Sequence, residues 1–236
     1  MWMEGSTSGV YRMWFQHMDI NRIPFYQYNT IIVGTGAAGL NAAVTLHKLG
    51  QKNIALITEG RYMGTSRNTG SDKQTYYKMT QCGSEPDSVR KMAKTLFEGG
   101  CVDGDIAMAE AAGSLRAFYH LVDIGVPFPF NKSGEYVGYK TDHDPLKRGI
   151  SAGPLTSKYM TECLERQAEE RGIPFFDGYQ AVRLLTEEKD GEKRAAGIIA
   201  LNKQKAASPD ERYAVFSAVN IIWATGGEAG MYQASV

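Results

Sequence analysis

The chain has 236 residues with 26 Lys+Arg against 26 Asp+Glu, so its formal net charge is zero. A neutral balance excludes a nonspecific nucleic-acid binder, which needs a basic surface, and a hydrophobic share of 43% excludes a disordered chain, since it supplies apolar surface for a core. No run reaches the roughly 18 apolar residues that a membrane helix needs, and Cys82, Cys101 and Cys163 are too scattered for a disulfide framework or a metal site.

Residues 1–29 read as an irregular extension, rich in aromatics and Met. They lack the basic-then-apolar order of a signal peptide, so a cytoplasmic location is expected. Residues 30–33 (TIIV) are a short β-rich run. A glycine cluster follows, then AAGLNAAVTLHKLG, in which Ala38, Ala42, Leu46 and Leu49 recur at helical spacing. Gly50 is the expected stop, and 53–58 (NIALIT) is a second apolar strand. The opening is strand, turn, helix, strand, the start of a parallel α/β unit. A polar Gly/Ser/Thr loop at 59–73 exceeds the usual connection length. Helices are expected at 86–99, 105–125 and 155–171. The second carries Ile106, Ala109, Gly113, Leu115, Phe118, Leu121 and Val122 on its apolar face, and the third Leu155, Tyr159, Met160, Cys163, Leu164 and Ala168. Residues 127–153 are loop-like. Three β-runs at 181–187, 195–201 and 213–218, separated by EKDGEKR and NKQKAASPDE, predict an antiparallel meander. A last strand at 219–224 ends in Thr225-Gly226-Gly227.

Gly34-Thr35-Gly36-Ala37-Ala38-Gly39 fits G-x-G-x-x-G and sits where that motif works, after a strand and opening a helix. The first glycine allows the tight turn, the second lets a pyrophosphate approach the backbone, and the third lets helix and strand pack closely. The helix N-terminus then offers N–H groups and a partial positive charge to phosphates. Such sites also need an acid about twenty positions on, to bond a ribose hydroxyl, and Glu59 stands at the end of the second strand. FAD and NAD both use this turn. NAD domains usually run straight into another crossover helix, whereas here a long polar loop, helices, a meander and a second glycine signal, ATGG, follow.

In those pieces the chain resembles the flavoprotein subunits of fumarate reductase and succinate dehydrogenase, with L-aspartate oxidase and soluble enoate reductases. The matching segments are IIVGTGAAGLNAAV, ITEGRYMGTSRNTGSDK, HDPLKRGISAGPLTSKYM, AAGIIALN and AVNIIWATGGEAGMY, covering roughly 30–236 in order. The resemblance implies an α/β Rossmann-like FAD-binding fold with a parallel sheet and a three-stranded meander. It implies that Gly34, Gly36, Ala37, Ala38 and Gly39 hold the pyrophosphate and that Glu59, with Gly60 beside it, takes the adenosine ribose. Gly64, Thr65 and Ser66 would line the ribityl chain and flavin edge. Ala181 or Val182 would meet the adenine through main-chain groups, and Ala224, Thr225, Gly226 and Gly227 would make a second backbone approach.

Membrane-bound members carry a histidine that links covalently to the flavin. TSRNTG has Arg67 and Asn68 around that position, so non-covalent FAD is expected. The family's capping domain and C-terminal return segment, which carry its catalytic residues, would lie beyond residue 236. The chain therefore reads as the FAD-binding portion of a larger enzyme, inactive alone, completed by a further segment or a partner chain. The implied reaction is hydride transfer between flavin and the C=C of an unsaturated carboxylate. The alternatives are an amine-oxidising relative such as L-aspartate oxidase and a non-catalytic binding module. Lys147 and Arg148 could clamp an anion but more often such a pair is solvated. Asp142, His143 and Asp144 read as a turn, and Tyr76, Tyr77 and Met79 could pack near the flavin or in the core.

Overall fold

The computed structural model describes residues 23–70, 74–82, 86–142, 144–208 and 211–227. Most of the expected extension, His143 and everything after Gly227 lie outside them. In chain order the elements are β1 (Phe25–Val33), α1 (Ala37–Lys48), β2 (Ile54–Thr58), α2 (Thr65–Asn68), β3 (Tyr76–Tyr77), α3 (Val89–Glu98) and α4 (Gly104–Asp123). After these come β4 (Gly149–Ile150), α5 (Thr156–Glu170), β5 (Phe175–Asp177), β6 (Tyr179–Lys189), β7 (Glu192–Asn202), a 3-10 turn (Lys203–Lys205) and β8 (Tyr213–Trp223). Two compact units divide the chain: Met1–Thr65 with Ala168–Val236, and Ser66–Gln167.

The first unit is built on one six-stranded sheet in the order β5-β2-β1-β8-β7-β6. β5, β2, β1 and β8 run parallel, with Thr30 opposite Ile54 and Val33 opposite both Ile57 and Trp223. β6, β7 and the first half of β8 form the antiparallel meander. The β6–β7 turn is Asp190-Gly191, both at positive φ, the two-residue geometry that matches strand twist. Ile31, Val33 and Ile57 from the parallel strands share one core with Ile198, Ala200, Ala214 and Phe216 from the meander. α1 packs against β1 and β2, where Ile32 and Leu56 are fully buried.

Three expectations change here. β1 starts at Phe25, not at residue 30, because its first half pairs with Val215–Ala218 of β8. The runs at 213–218 and 219–224 are one strand: nothing between Ala218 and Val219 breaks an extended chain, so β8 closes the meander with its first half while pairing with β1 from Val215 to Trp223. The buried stripe of α1 is Gly39, Leu40, Ala43 and Val44, while Leu49 is 78% exposed. Gly39 sets that rotation, since its face must lie against the turn that precedes the helix.

In the second unit, α3 and α4 pack through Met92, Ala93, Ala107 and Ala111. Ser88 caps α3 by accepting from the Lys91 N–H, and Asp103 caps α4 by accepting from Asp105 and Ile106. The inner face of α4 is Ala107, Ala111, Ser114, Phe118 and Leu121, so only Phe118 and Leu121 of the expected set are buried, and Ile106 is 65% exposed. Phe118 is surrounded by Tyr76, Phe128 and Tyr136. Tyr76 and Tyr77 pair with Ile150 and Gly149 in a two-stranded antiparallel ribbon. α5 buries Cys163, Leu164 and Ala168 as expected, but Leu155 is 40% exposed. Among the described residues, no helix is long and apolar enough to cross a membrane, and no cluster of His, Cys, Asp or Glu could hold a metal.

Candidate functional site

Parallel strands bring their C-terminal ends to one edge, and ligands of open α/β sheets bind outside that edge. Here the edge gathers Gly34 after β1, Glu59 after β2 and Ala224 after β8. The backbone joins them directly: Gly34 N–H donates to Ile57 O at 2.8 Å, and Ala224 N–H to Val33 O at 2.8 Å. Thr35 and Thr58 are both buried and share a hydroxyl–hydroxyl bond of 3.1 Å, and Gly60 N–H donates to the Thr58 hydroxyl at 3.3 Å.

The glycines are fixed by space as well as by conformation. Gly34 has φ of +108°, and a Cβ there would lie 2.2 Å from the Ala224 carbonyl oxygen. A Cβ on Gly39 would lie 2.1 Å from the Gly34 carbonyl oxygen and 3.4 Å from the Ala224 Cβ. Both neighbours are backbone or short side chain, so neither can swing aside. A Cβ on Gly64 would stand 3.6 Å from the Gly36 Cα, so this loop crosses in front of the helix start. Gly36 is the N-cap residue, no side chain caps α1, and the first turn of α1 holds no acid. The positive end of such a helix favours an anion.

Glu59 is partly exposed, and its Oε1 accepts from Lys203 Nζ at 2.8 Å. The Arg61 N–H donates to Asp177 Oδ1 at 2.8 Å, its guanidinium pairs with Glu169, and it lies 4.1 Å over the Phe175 ring. Tyr179, at the start of β6, accepts from Asn202 Nδ2 at 3.1 Å. The starts of β6 and of the 3-10 turn thus lie on the Glu59 side of the unit. Val182 follows a few residues along β6, half exposed and at a break in the ladder between Ala181 and Arg183. Gly226 and Gly227 are exposed after β8, with nothing within 4 Å of where a Cβ would stand. Thr65 opens the four-residue α2, and Ser66 is the first residue of the second unit.

The second unit has its own charged centre, and it corrects the reading of Arg148. Arg148 is 1% exposed and bridges Asp87 through Nη2 at 2.7 Å and Nε at 2.9 Å. Its Nη1 reaches Thr95 at 2.9 Å, the Tyr77 hydroxyl at 3.2 Å and Asp144 at 3.4 Å. It is neither solvated nor an open anion clamp, because two buried carboxylates already match its charge. Lys147 is exposed. Burial alone would raise the Asp87 pKa, but bonds from Arg148 and from the Ser88 and Thr80 N–H groups bring it below its ordinary 3.8. Tyr77 is pushed up to about 12, first by burial and then by its bond to Asp144. Asp144 belongs to this network and to the turn at Leu146, whose N–H it accepts at 2.7 Å. Tyr76, Tyr77 and Met79 pack within the unit's core.

The first unit is a dinucleotide-binding α/β unit: a glycine turn, an uncapped helix start and an acid stand at the C-terminal edge of a parallel sheet. The family model described as an FAD binding domain matches residues 29–235, and the chain belongs to that family. L-aspartate oxidase of Agrobacterium fabrum is 27% identical over 212 residues, 87% of this chain and 37% of that protein. The 8-methylmenaquinol:fumarate reductase flavoprotein subunit of Wolinella succinogenes is 27% identical over 226 residues, 94% and 35% of the two chains. The E. coli quinol fumarate reductase structure superposes with a TM-score of 0.73 at 21% identity, covering 89% of this chain and 34% of that one, which shows the shared fold. The chain spans about a third of the length of these relatives. The expected FAD-binding fold and the FAD assignment are both supported, and the residues present fit that cofactor: a Cβ at Gly34 or Gly39 would meet backbone, and no side chain caps the helix start.

Proposed function

We propose that this chain holds FAD non-covalently as the flavin-binding part of an oxidoreductase of the fumarate reductase class. Bound there, the flavin would supply the hydride acceptor or donor for the C=C of an unsaturated carboxylate. The observation that carries the reading is the contact set of Gly34, Gly39 and Ala224. Two glycines packed against backbone there keep the turn tight and the start of α1 close to the strand ends, the geometry that sets a helix start at a pyrophosphate. Gly34, Gly36, Ala37, Ala38 and Gly39 bind pyrophosphate at the helix start, and Glu59 accepts from the adenosine ribose with Gly60 beside it. Val182 faces the adenine, Gly64, Thr65 and Ser66 line the flavin side, and Ala224, Thr225, Gly226 and Gly227 make the second backbone approach.

Arg67 supports non-covalent attachment. With Asn68 it lies around the position where the covalently linked members carry histidine, and its guanidinium pairs with Glu165. A further segment or partner chain completes the site, so the chain alone turns over no substrate. The three cysteines are free thiols, which suits a reducing cytoplasm. The relatedness to L-aspartate oxidases favours amine oxidation as the second reading. The purified chain is expected to show flavin bands near roughly 370 and 450 nm and to release all its flavin on acid denaturation. Flavin retained by the denatured protein refutes non-covalent binding, and a colourless chain that gains no stability with FAD refutes the cofactor role. In the complete enzyme, oxygen consumption with an amino acid in place of reduction of an unsaturated carboxylate would select the second reading.

A further inference from the structure

We infer that Lys203 is a positioning residue for FAD, acting through Glu59; the inference rests on the reading that Glu59 accepts from the adenosine ribose. The two residues are 144 positions apart, one after β7 and the other after β2, and meet because the meander returns to the β2 side, where β6 packs against β2. Lys203 stands on a pinned turn. Its N–H donates to Gly178 O at 2.8 Å, and Asn202 Oδ1 accepts from the Gln204 N–H at 3.1 Å to cap the 3-10 turn. Asn202 is held in turn by Tyr179 at 3.1 Å. The backbone under the lysine is thus fixed from β6 and β7, and its ammonium reaches across to Glu59 Oε1 at 2.8 Å.

A glutamate at a strand end, with three rotatable bonds and two-fifths of its surface exposed, samples many orientations, and ordering it on ligand binding costs side-chain entropy. Lys203 removes part of that cost beforehand. It engages Oε1, which leaves Oε2 as the oxygen that accepts from a ribose hydroxyl. A carboxylate acceptor makes a stronger hydrogen bond than a neutral one.

The test is FAD binding to the full chain, followed by quenching of flavin fluorescence, with FMN as the ligand that lacks the adenosine ribose. Glu59→Gln is expected to weaken FAD by about tenfold. Lys203→Met, which keeps the aliphatic stem, is expected to weaken it by about threefold, with Lys203→Arg restoring most of the loss. Neither substitution shifts FMN binding, and Lys203→Met has no further effect once Glu59 is Gln. Added salt weakens FAD binding by the wild type more than by Lys203→Met. If Glu59→Gln leaves FAD binding unchanged, the ribose reading fails and the inference with it. If Glu59→Gln weakens FAD but Lys203→Met does not, or weakens FMN equally, the role of Lys203 alone is overturned.

Discussion

Replacing Arg148 with methionine removes a buried cation that pairs with two buried carboxylates. The Asp87 side chain is 1% exposed and the Asp144 side chain 3%. Breaking a buried ion pair by deleting one partner costs about 3–5 kcal/mol, because the other charge stays buried without its match. Small domains have only about 5–15 kcal/mol in total, so the second unit should lose roughly a fifth or more of its stability. The sign of the pH dependence follows from Asp87. In the wild type its pKa lies below 3.8, so its contribution holds above about pH 4 and is lost as pH falls through the folded value. In Arg148→Met, burial acts without the guanidinium and raises the Asp87 pKa, so protonation relieves the variant and its deficit shrinks as pH falls from 7 towards 4.5. Hydrogen exchange of the α3 and α4 amides in a urea series at both pH values measures this. The double variant Asp87→Asn/Arg148→Met should recover part of the loss. A deficit under about 1 kcal/mol at pH 7, or one that does not shrink on acidification, would refute the reasoning.

Gly39→Ala should cost the first unit about 2–3 kcal/mol in urea denaturation and abolish the fluorescence change on adding FAD, since its Cβ meets the Gly34 carbonyl at 2.1 Å. Gly64→Ala should stay within about 0.5 kcal/mol in the same experiment, because its Cβ makes ordinary contact at 3.6 Å with Gly36. Asp103→Ala should lower stability by about 1 kcal/mol by thermal melting, through loss of the α4 cap. Lys78 is 2% exposed over the Phe118 ring, and burial lowers its pKa, with Cys82 opposing. A lowered lysine pKa means the folded state disfavours the charge. Lys78→Met should therefore raise stability by about 1 kcal/mol at pH 7, with the gain fading as pH approaches 10.5, where the unfolded lysine also becomes neutral.

The glycine turn was legible in the sequence because its constraint is local. Gly34, Gly36 and Gly39 lie within one turn and one helix start, and their spacing encodes the approach of backbone to backbone. The end of α1 was legible for the same reason, through Gly50. What sequence could not show is what depends on partners far along the chain. The inner face of α1 is set by where Gly39 must sit, and helical spacing alone admits a neighbouring stripe. Arg148 read as a surface cation because nothing near it announces Asp87, which lies 61 positions away. Lys203 carries no motif at all, and only the meander's return to β2 gives it a partner. The joined strand β8 was split for a subtler reason: only its first half, Tyr213–Ser217, has β7 as a second neighbour, while β1 pairs with it from Val215 to Trp223.

The position of β8 between β1 and β7 bears on how an elongated ligand is held. Tyr28 pairs with Ala218 and Thr30 with Asn220, yet Tyr28, Ala218, Ile31 and Ile221 all face one core. Both strands therefore change the face they turn inward between 28 and 31 and between 218 and 221, where the pairing of Asn29 with Val219 is absent. One continuous strand thereby enters both the meander and the parallel sheet. Its far end leads to Ala224, against Gly34, and its near end pairs with β7, whose last residue precedes Lys203. The pyrophosphate and adenosine sides of the proposed site are consequently joined through sheet hydrogen bonds. A frame of that kind resists relative movement of its two ends far better than loops would, which is what holding the pyrophosphate and the adenosine of one dinucleotide in register requires.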